Sequence, residues 1–271
     1  MRNHALQVSL FSGTLPIALE DRGEGGPTFL LLHGGAGPSS MAGLAEGLAK
    51  AARVLVPTHP GFAGTLRPER IARVDDLVLT YLALLDILDV SDVVLVGNSF
   101  GGWLAAEMAL RGSRRVASVA LLNAVGIDTG SQARAIVDPM AVPPEGRMAL
   151  SFHDPARFAA RLASPESAKH MPDNQRALRV YAGEPFMHDP TLHARLGQLS
   201  VASLVVWGES DRIVDLEYGR RYAASMPGSV FKPVSGAGHF PQIERADEVI
   251  QLLTAFARSA PVTSSPARSS E

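Results

Sequence analysis

The 271-residue chain contains no cysteine, which removes disulfides, thiolate catalysis and Cys-ligated zinc from consideration. It lacks an excess of charge: 25 Lys and Arg stand against 27 Asp and Glu, a formal net charge of −2. No basic stripe runs along it, so neither nucleic acid nor an anionic membrane surface is an expected partner. No apolar run is long enough to span a bilayer, and Met1–Val8 has no signal-peptide core. A cytoplasmic protein acting on a small molecule is the expectation, with the oligomeric state left open. Hydrophobic residues make up 46% and charged residues 19%, enough for a sizeable core. The length suits one large α/β domain carrying an insertion.

Short, part-alternating segments at 5–11 and 15–20, separated by Ser12-Gly13-Thr14, read as an antiparallel hairpin. From Phe29 onward the pattern changes. Apolar runs at 29–32, 54–56, 93–96, 116–122, 204–207 and 230–234 alternate with helical periodicity at 39–51, 75–89, 101–111, 215–225 and 245–257. Continuous apolar runs suit strands covered on both faces. Their alternation with helices predicts an α/β fold: a doubly wound, mostly parallel central sheet of about eight strands. The alternation fails between 127 and 198, where prolines recur between short amphipathic pieces and no strand signal stands out. The expected division is a core of 1–126 and 199–258, a helical insertion at 127–198, and a disordered tail at 259–271. Apolar residues of the insertion, such as Met140, Met148, Phe158, Met171, Tyr181, Phe186 and Met187, can form its own small core or line a pocket.

Gly97-Asn98-Ser99-Phe100-Gly101-Gly102 follows the apolar run Val93–Val96 and opens a helical stretch. Gly-x-Ser-x-Gly between strand and helix places a serine hydroxyl on a turn too tight for side chains at the flanking glycines. The helix behind it aims N–H groups at the reacting centre. Ser99 is therefore the candidate nucleophile. A serine needs a base, and the base an orienting acid. His239, in the loop Ser235-Gly236-Ala237-Gly238-His239 after the 230–234 run, is the candidate base. Asp211, in Gly208-Glu209-Ser210-Asp211 after the 204–207 run, is the preferred acid, with Glu209, Asp215 and Asp128 as rivals. An oxyanion needs two donors. The Phe100 N–H is one; the other is sought in His33-Gly34-Gly35, with Gly35 favoured over Gly34. His33 itself reads as a residue that holds its loop. Trp103, Phe152 and Phe240 are candidate substrate contacts, although a core role for Trp103 is the commoner alternative.

Taken together, these motifs resemble the α/β-hydrolase fold superfamily over about residues 5–258, in which the order Ser, Asp, His is characteristic. Pro60-Gly61-Phe62 belongs to the same resemblance, which implies an acyl-enzyme mechanism and a cap domain at 127–198. The Gly-Asn-Ser-x-Gly-Gly elbow is similar to that of carbon–carbon hydrolases of meta-cleavage products and of esterase-like members. His33-Gly34-Gly35 resembles the oxyanion segment of the carbon–carbon hydrolases and of proline iminopeptidases. Relatives commonly carry an Asp before Pro-Gly where this chain has Thr58-His59, so a loop-organising carboxylate is missing there. The resemblance makes carboxylic esters the first expected substrates and carbon–carbon hydrolysis the alternative; amides, lactones and thioesters stay open. A ligand receptor retaining the three residues is the reading from a different class. His153, His170, His188 and His193 match no metal-ligand spacing, and no P-loop or dinucleotide fingerprint occurs. No metal and no organic cofactor is expected.

Overall fold

In the computed structural model, residues 1–10, 13–130, 136–162 and 165–259 are described. Ten strands run in chain order: β1 (Arg2–Leu10), β2 (Gly13–Arg22), β3 (Thr28–Leu32), β4 (Arg53–Pro57), β5 (Val93–Asn98), β6 (Val116–Leu122), β7 (Gly126–Ile127), β8 (His188–Asp189), β9 (Ala202–Gly208) and β10 (Val230–Val234). Eight of them form one sheet in the order β1-β2-β4-β3-β5-β6-β9-β10. β2 pairs antiparallel with both β1 and β4, and the remaining pairs are parallel. Only β2 therefore runs against the rest.

The helices wind over both faces. Helix α1 (Ala42–Leu48) and, later, α10 (Ala246–Ser259) cover one face; α2 (Val74–Ile87), α3 (Phe100–Leu110) and α8 (Leu216–Ala224) cover the other. Strand periodicity of two divides the core accordingly. Leu30, Leu32, Val93 and Leu95 join α2, α3 and α8, whereas Phe29, Leu31, Val94 and Val96 join α1 and α10. This two-sided burial is why β3, β5 and β6 read as unbroken apolar runs.

Between β7 and β9 the chain forms α4 (Pro144–Ser151), α5 (Pro155–Leu162), α6 (Pro165–Ala182) and the single turn α7 (Leu192–Arg195). The strand pair β7–β8 was not expected in this stretch; two residues are too few to write an alternating pattern. Two helix boundaries also differ. The segment expected as one helix at 39–51 starts as a 3₁₀ turn at Pro38–Met41 before α1. The last helix is preceded by a separate turn, α9 (Pro241–Glu244), because Arg245 leaves the helical region at φ −129° and ψ 46°. No helix among the described residues is long and apolar enough to cross a membrane.

The winding direction reverses between β3 and β5: β4 lies on one side of β3 and β5 on the other. In open parallel sheets the crevice beyond the carboxyl ends at such a reversal is where ligands bind. His33–Gly35 leave β3 there, and Ser99 leaves β5 there.

Candidate active site

The turn after β5 is forced by backbone crowding. A Cβ on Gly97 would lie 2.0 Å from the Gly101 carbonyl oxygen, and one on Gly101 would lie 2.0 Å from that of Leu32. Between them Ser99 adopts φ 55° and ψ −119°, a region costly for any residue with a side chain. The strain is held by hydrogen bonds: Ser99 N–H donates to Leu122 O at 3.0 Å, and Ser99 O accepts from Gly102, Trp103 and Val125 N–H groups. Ser99 keeps a small exposed surface on a cavity of about 410 Å³.

His239 lines that cavity too. Its Nδ1–H donates to Asp211 Oδ2 at 2.7 Å. Both side chains are almost fully buried. Asp211 Oδ1 accepts from Ile213 and Val214 N–H groups at 2.8 and 3.2 Å, and Oδ2 also accepts from Asn123 Nδ2 at 2.7 Å. Four donors thus fix one carboxylate in place. With Nδ1 carrying the proton, His239 Nε2 is left as an acceptor, the tautomer a base requires.

The rival acids lie elsewhere. Glu209 is exposed, Asp215 caps α8 by accepting from Tyr218 N–H, and Asp128 accepts from Gly130 N–H on the surface.

Asn123 was not found by sequence reasoning. It sits just past β6 at φ 45° and also accepts from Gly208 N–H at 3.1 Å, so it joins the ends of β6 and β9. An Asn following an apolar strand was the only available signal, since Asn tolerates left-handed backbone. Asn98 has a related part: its Nδ2 donates to Leu122 O and to His239 O, both at 3.0 Å.

The loop after β3 lies against the elbow. Gly34 packs on Ser99, where a Cβ would approach the serine Cβ to 2.9 Å. Gly35 lines the cavity; Gly34 is not among the lining residues. The first N–H groups of α3, Phe100 included, have no intrahelical acceptor. His33 and His59 hold this loop. His33 Nδ1–H donates to Gly34 O at 2.8 Å, and its Nε2 accepts from the His59 backbone N–H at 3.1 Å. His59 Nε2–H donates to His33 O at 2.8 Å, and its Nδ1 accepts from Tyr81 OH at 2.5 Å. These roles leave both rings neutral. Burial pushes His33 down to about 4. It also pushes His59 well below the usual histidine range, helped by the neighbouring His33. Tyr81, buried, is pushed well above the usual tyrosine range and stays a donor. His59 thus organises the loop where a carboxylate was missed.

Of the expected substrate contacts, Phe152 and Phe240 line the cavity. Trp103 does not. Its ring packs over Gly126 and edge-on to Phe100 inside the core, because its place on α3 faces β7 rather than the open strand ends. Met140, Met148, Met171, Phe186 and Met187 line the cavity. Phe158 stacks behind Phe152, and Tyr181 stacks on Phe100 while donating to Pro60 O. The apolar residues of the insert thus divide between both roles.

The insert is fastened to the site at several points. His239 N–H donates to Ser151 O at 2.7 Å. Glu244 accepts from Gly238, His153 and Asp154 N–H groups. Asn174, on α6, accepts from Ala63 N–H at 2.8 Å and donates to Ala36 O at 3.3 Å.

A sequence profile described as "Alpha/beta hydrolase family" matches residues 29–252. The chain is 30% identical, over 87% of its length, to the dihydrolipoyllysine-residue acetyltransferase component of the acetoin cleaving system of Pseudomonas putida, and spans 65% of that protein. It is 29% identical to a 2-hydroxy-6-oxononadienedioate/2-hydroxy-6-oxononatrienedioate hydrolase of Klebsiella pneumoniae, over 90% of this chain and 91% of that one. The structure of a thermophilic esterase from Thermogutta terrifontis superposes with a TM-score of 0.73 at 23% identity, over 95% and 98% of the two chains.

Proposed function

Because this chain belongs to the alpha/beta hydrolase family, we propose that it is a serine hydrolase in which Ser99 attacks a carbonyl carbon, His239 serves as base and Asp211 orients it. The observation that carries this reading is the buried Asp211–His239 hydrogen bond, whose imidazole lines the same cavity as Ser99. His239 accepts the serine proton at Nε2 as Oγ bonds to carbon. The Gly35 and Phe100 N–H groups receive the negative charge on oxygen. Collapse expels the leaving alkoxide, which takes the proton from His239. Water, deprotonated by His239, then releases the acid and restores Ser99.

The substrate we favour is a carboxylic ester with an apolar body. Val125, Ile136, Met148, Phe152 and Phe240 give the cavity walls to match, and an alkoxide is readily expelled. Residues 127–198 act in this reading as the cap that sets substrate choice. Hydrolysis of a carbon–carbon bond in a vinylogous diketone is the second reading, favoured by the Klebsiella relative at 29% identity over most of both chains.

Labelling with a fluorophosphonate probe tests the nucleophile. Wild-type protein is expected to label and Ser99→Ala protein to stay unlabelled; a folded wild type that fails to label would overturn the reading. Comparing p-nitrophenyl esters with a dienoate ring-fission product then separates the two substrate classes. Turnover confined to the dienoate would replace the first by the second.

A further inference from the structure

A second cleft, of about 550 Å³, lies between α6 and the loop after β4. Its lining joins small or apolar residues, Gly61, Gly64, Ala177 and Val180, to three arginines, Arg67, Arg176 and Arg179, and one carboxylate, Asp173. The glycines let the loop run close to the helix: at φ 89°, Gly61 sits where a Cβ would come within 2.9 Å of the Ala177 Cβ.

The charges do not balance. Asp173 is ion-paired to Arg176 and stands 3.9 Å from His170 Nδ1. Arg67 lines the cleft with no carboxylate partner among the described residues, its Nη1 donating to Ile71 O at 2.8 Å. Arg179 has no ion pair or hydrogen bond among the described residues. Three guanidinium groups against one carboxylate leave the cleft positive on a molecule whose formal net charge is −2. A bound anion relieves such repulsion, and guanidinium forks match the oxygens of carboxylate and phosphate.

The cleft is joined to the catalytic cavity through one side chain. Arg179 borders both spaces and, among the described residues, no other does. Helix α6 is the wall between them. Met171, Gln175 and Leu178 face the cavity, and Asp173, Arg176 and Ala177 face the cleft, two faces separated by the helical period. Leu178 lies against Gly35, where a Cβ would approach its Cδ2 to 2.6 Å. A substrate held at Gly35 is thus one helix away from the arginines.

We infer that this cleft is an anion subsite: Arg179, with Arg67 and Arg176, receives a carboxylate or phosphate group on the part of the substrate that extends out of the cavity past α6. The inference rests on the hydrolase reading above and deepens it, naming the substrate as an acyl compound with an apolar body and an anionic end.

The test compares p-nitrophenyl monoesters of α,ω-dicarboxylic acids with the same compounds capped as terminal methyl esters. A parallel arm uses acetate esters of ω-hydroxyalkyl phosphates beside their neutral alkyl counterparts. For wild type, kcat/KM is expected to favour the anionic member by about tenfold at the best chain length. The effect should lie mainly in KM and shrink as salt rises from about 0.05 to 0.5 M. In the Arg67→Gln/Arg176→Gln/Arg179→Gln protein the ratio should fall towards unity; Arg179→Gln alone serves if the triple variant does not fold. The arm that shows the preference identifies carboxylate or phosphate. A wild type that prefers the neutral member at every length, or a variant that keeps the wild-type ratio, overturns the subsite. If wild type turns over none of these esters, the ester reading fails by itself. Calorimetric titration of Ser99→Ala protein with suberate and with inorganic phosphate then decides on the cleft: binding lost in the arginine variant supports it, and no binding overturns it.

Discussion

At the scale of single residues, the neutral pair His33–His59 has a consequence for stability. Their rings lie 3.7 Å apart, fully buried, so protonating either puts an unscreened charge beside the other. An unfolded histidine titrates near 6.5, whereas folded His33 does so at about 4. Between these values the unfolded chain binds a proton that the folded one does not, and stability therefore falls as pH falls. The contribution is fully present above about pH 6.5 and lost by about pH 4. His33 alone accounts for a loss of about 3 kcal/mol, and His59 acts in the same direction. Urea unfolding from pH 7 to 4 checks this: wild type should weaken steeply, and His59→Gln protein less steeply. A flat wild-type profile would show that the rings are not held neutral. The placing of Ser99, Asp211 and His239 at strand ends was legible in the sequence because each stands in a short turn right after an apolar run. Asn123, His59 and Tyr81 were not, because their parts depend on partners far along the chain, such as Tyr81 22 positions beyond His59 and Asp211 88 beyond Asn123.

At the scale of elements, β3, β4, β5, β6 and β9 were readable because burial on two faces leaves no choice but apolar residues, and β1 and β2 because burial on one face writes a partial alternation. The insert was readable only as a break in that pattern. Its short amphipathic pieces were visible, but the prolines between them hid the longest helix: α6 runs from Pro165 to Ala182 with Pro172 inside it. The helix expected at 39–51 is there but shorter at both ends: Gly37 at φ 86° and Pro38 turn the chain first, and α1 stops at Leu48. The elbow between β5 and α3 permits a contrast between two glycines. Gly101→Ala puts a methyl group on top of the Leu32 carbonyl and is expected to cost about 3 kcal/mol or more. Gly43→Ala, inside α1 with nothing within 4 Å, is expected to leave stability unchanged or raise it by about 0.5 to 1 kcal/mol. Thermal unfolding of both variants measures the difference. Equal midpoints would mean that the turn relaxes freely.

At the scale of the whole molecule, an ion pair ties the end of the insert to α3, the helix that follows Ser99. Arg195, on α7, donates through Nη1 and Nη2 to the two carboxylate oxygens of Glu107 at 2.7 and 2.5 Å, and through Nη2 to Asp189 at 2.7 Å. Glu107 is buried on α3. Arg195→Met strands that carboxylate and is expected to destabilise the protein by about 1–3 kcal/mol, less than a fully buried pair because Arg195 is itself partly exposed. Adding Glu107→Leu should recover most of the loss, because it removes the buried charge that Arg195→Met leaves unpaired. Denaturant midpoints for the single and double variants check it; a single variant as stable as wild type would show that the pair contributes nothing.

Glu244 joins the insert to the loop carrying His239 in another sense. Its one carboxylate gathers N–H groups from Gly238 on the loop carrying His239 and from His153 and Asp154 on the insert. A chimera that imports a relative's insert through two crossover points, one on either side of 127–198, would leave this carboxylate facing main chain it did not evolve with. Recombination that keeps these contacts therefore needs a third crossover around residues 238–244, and the unit that they hold together is discontinuous in sequence.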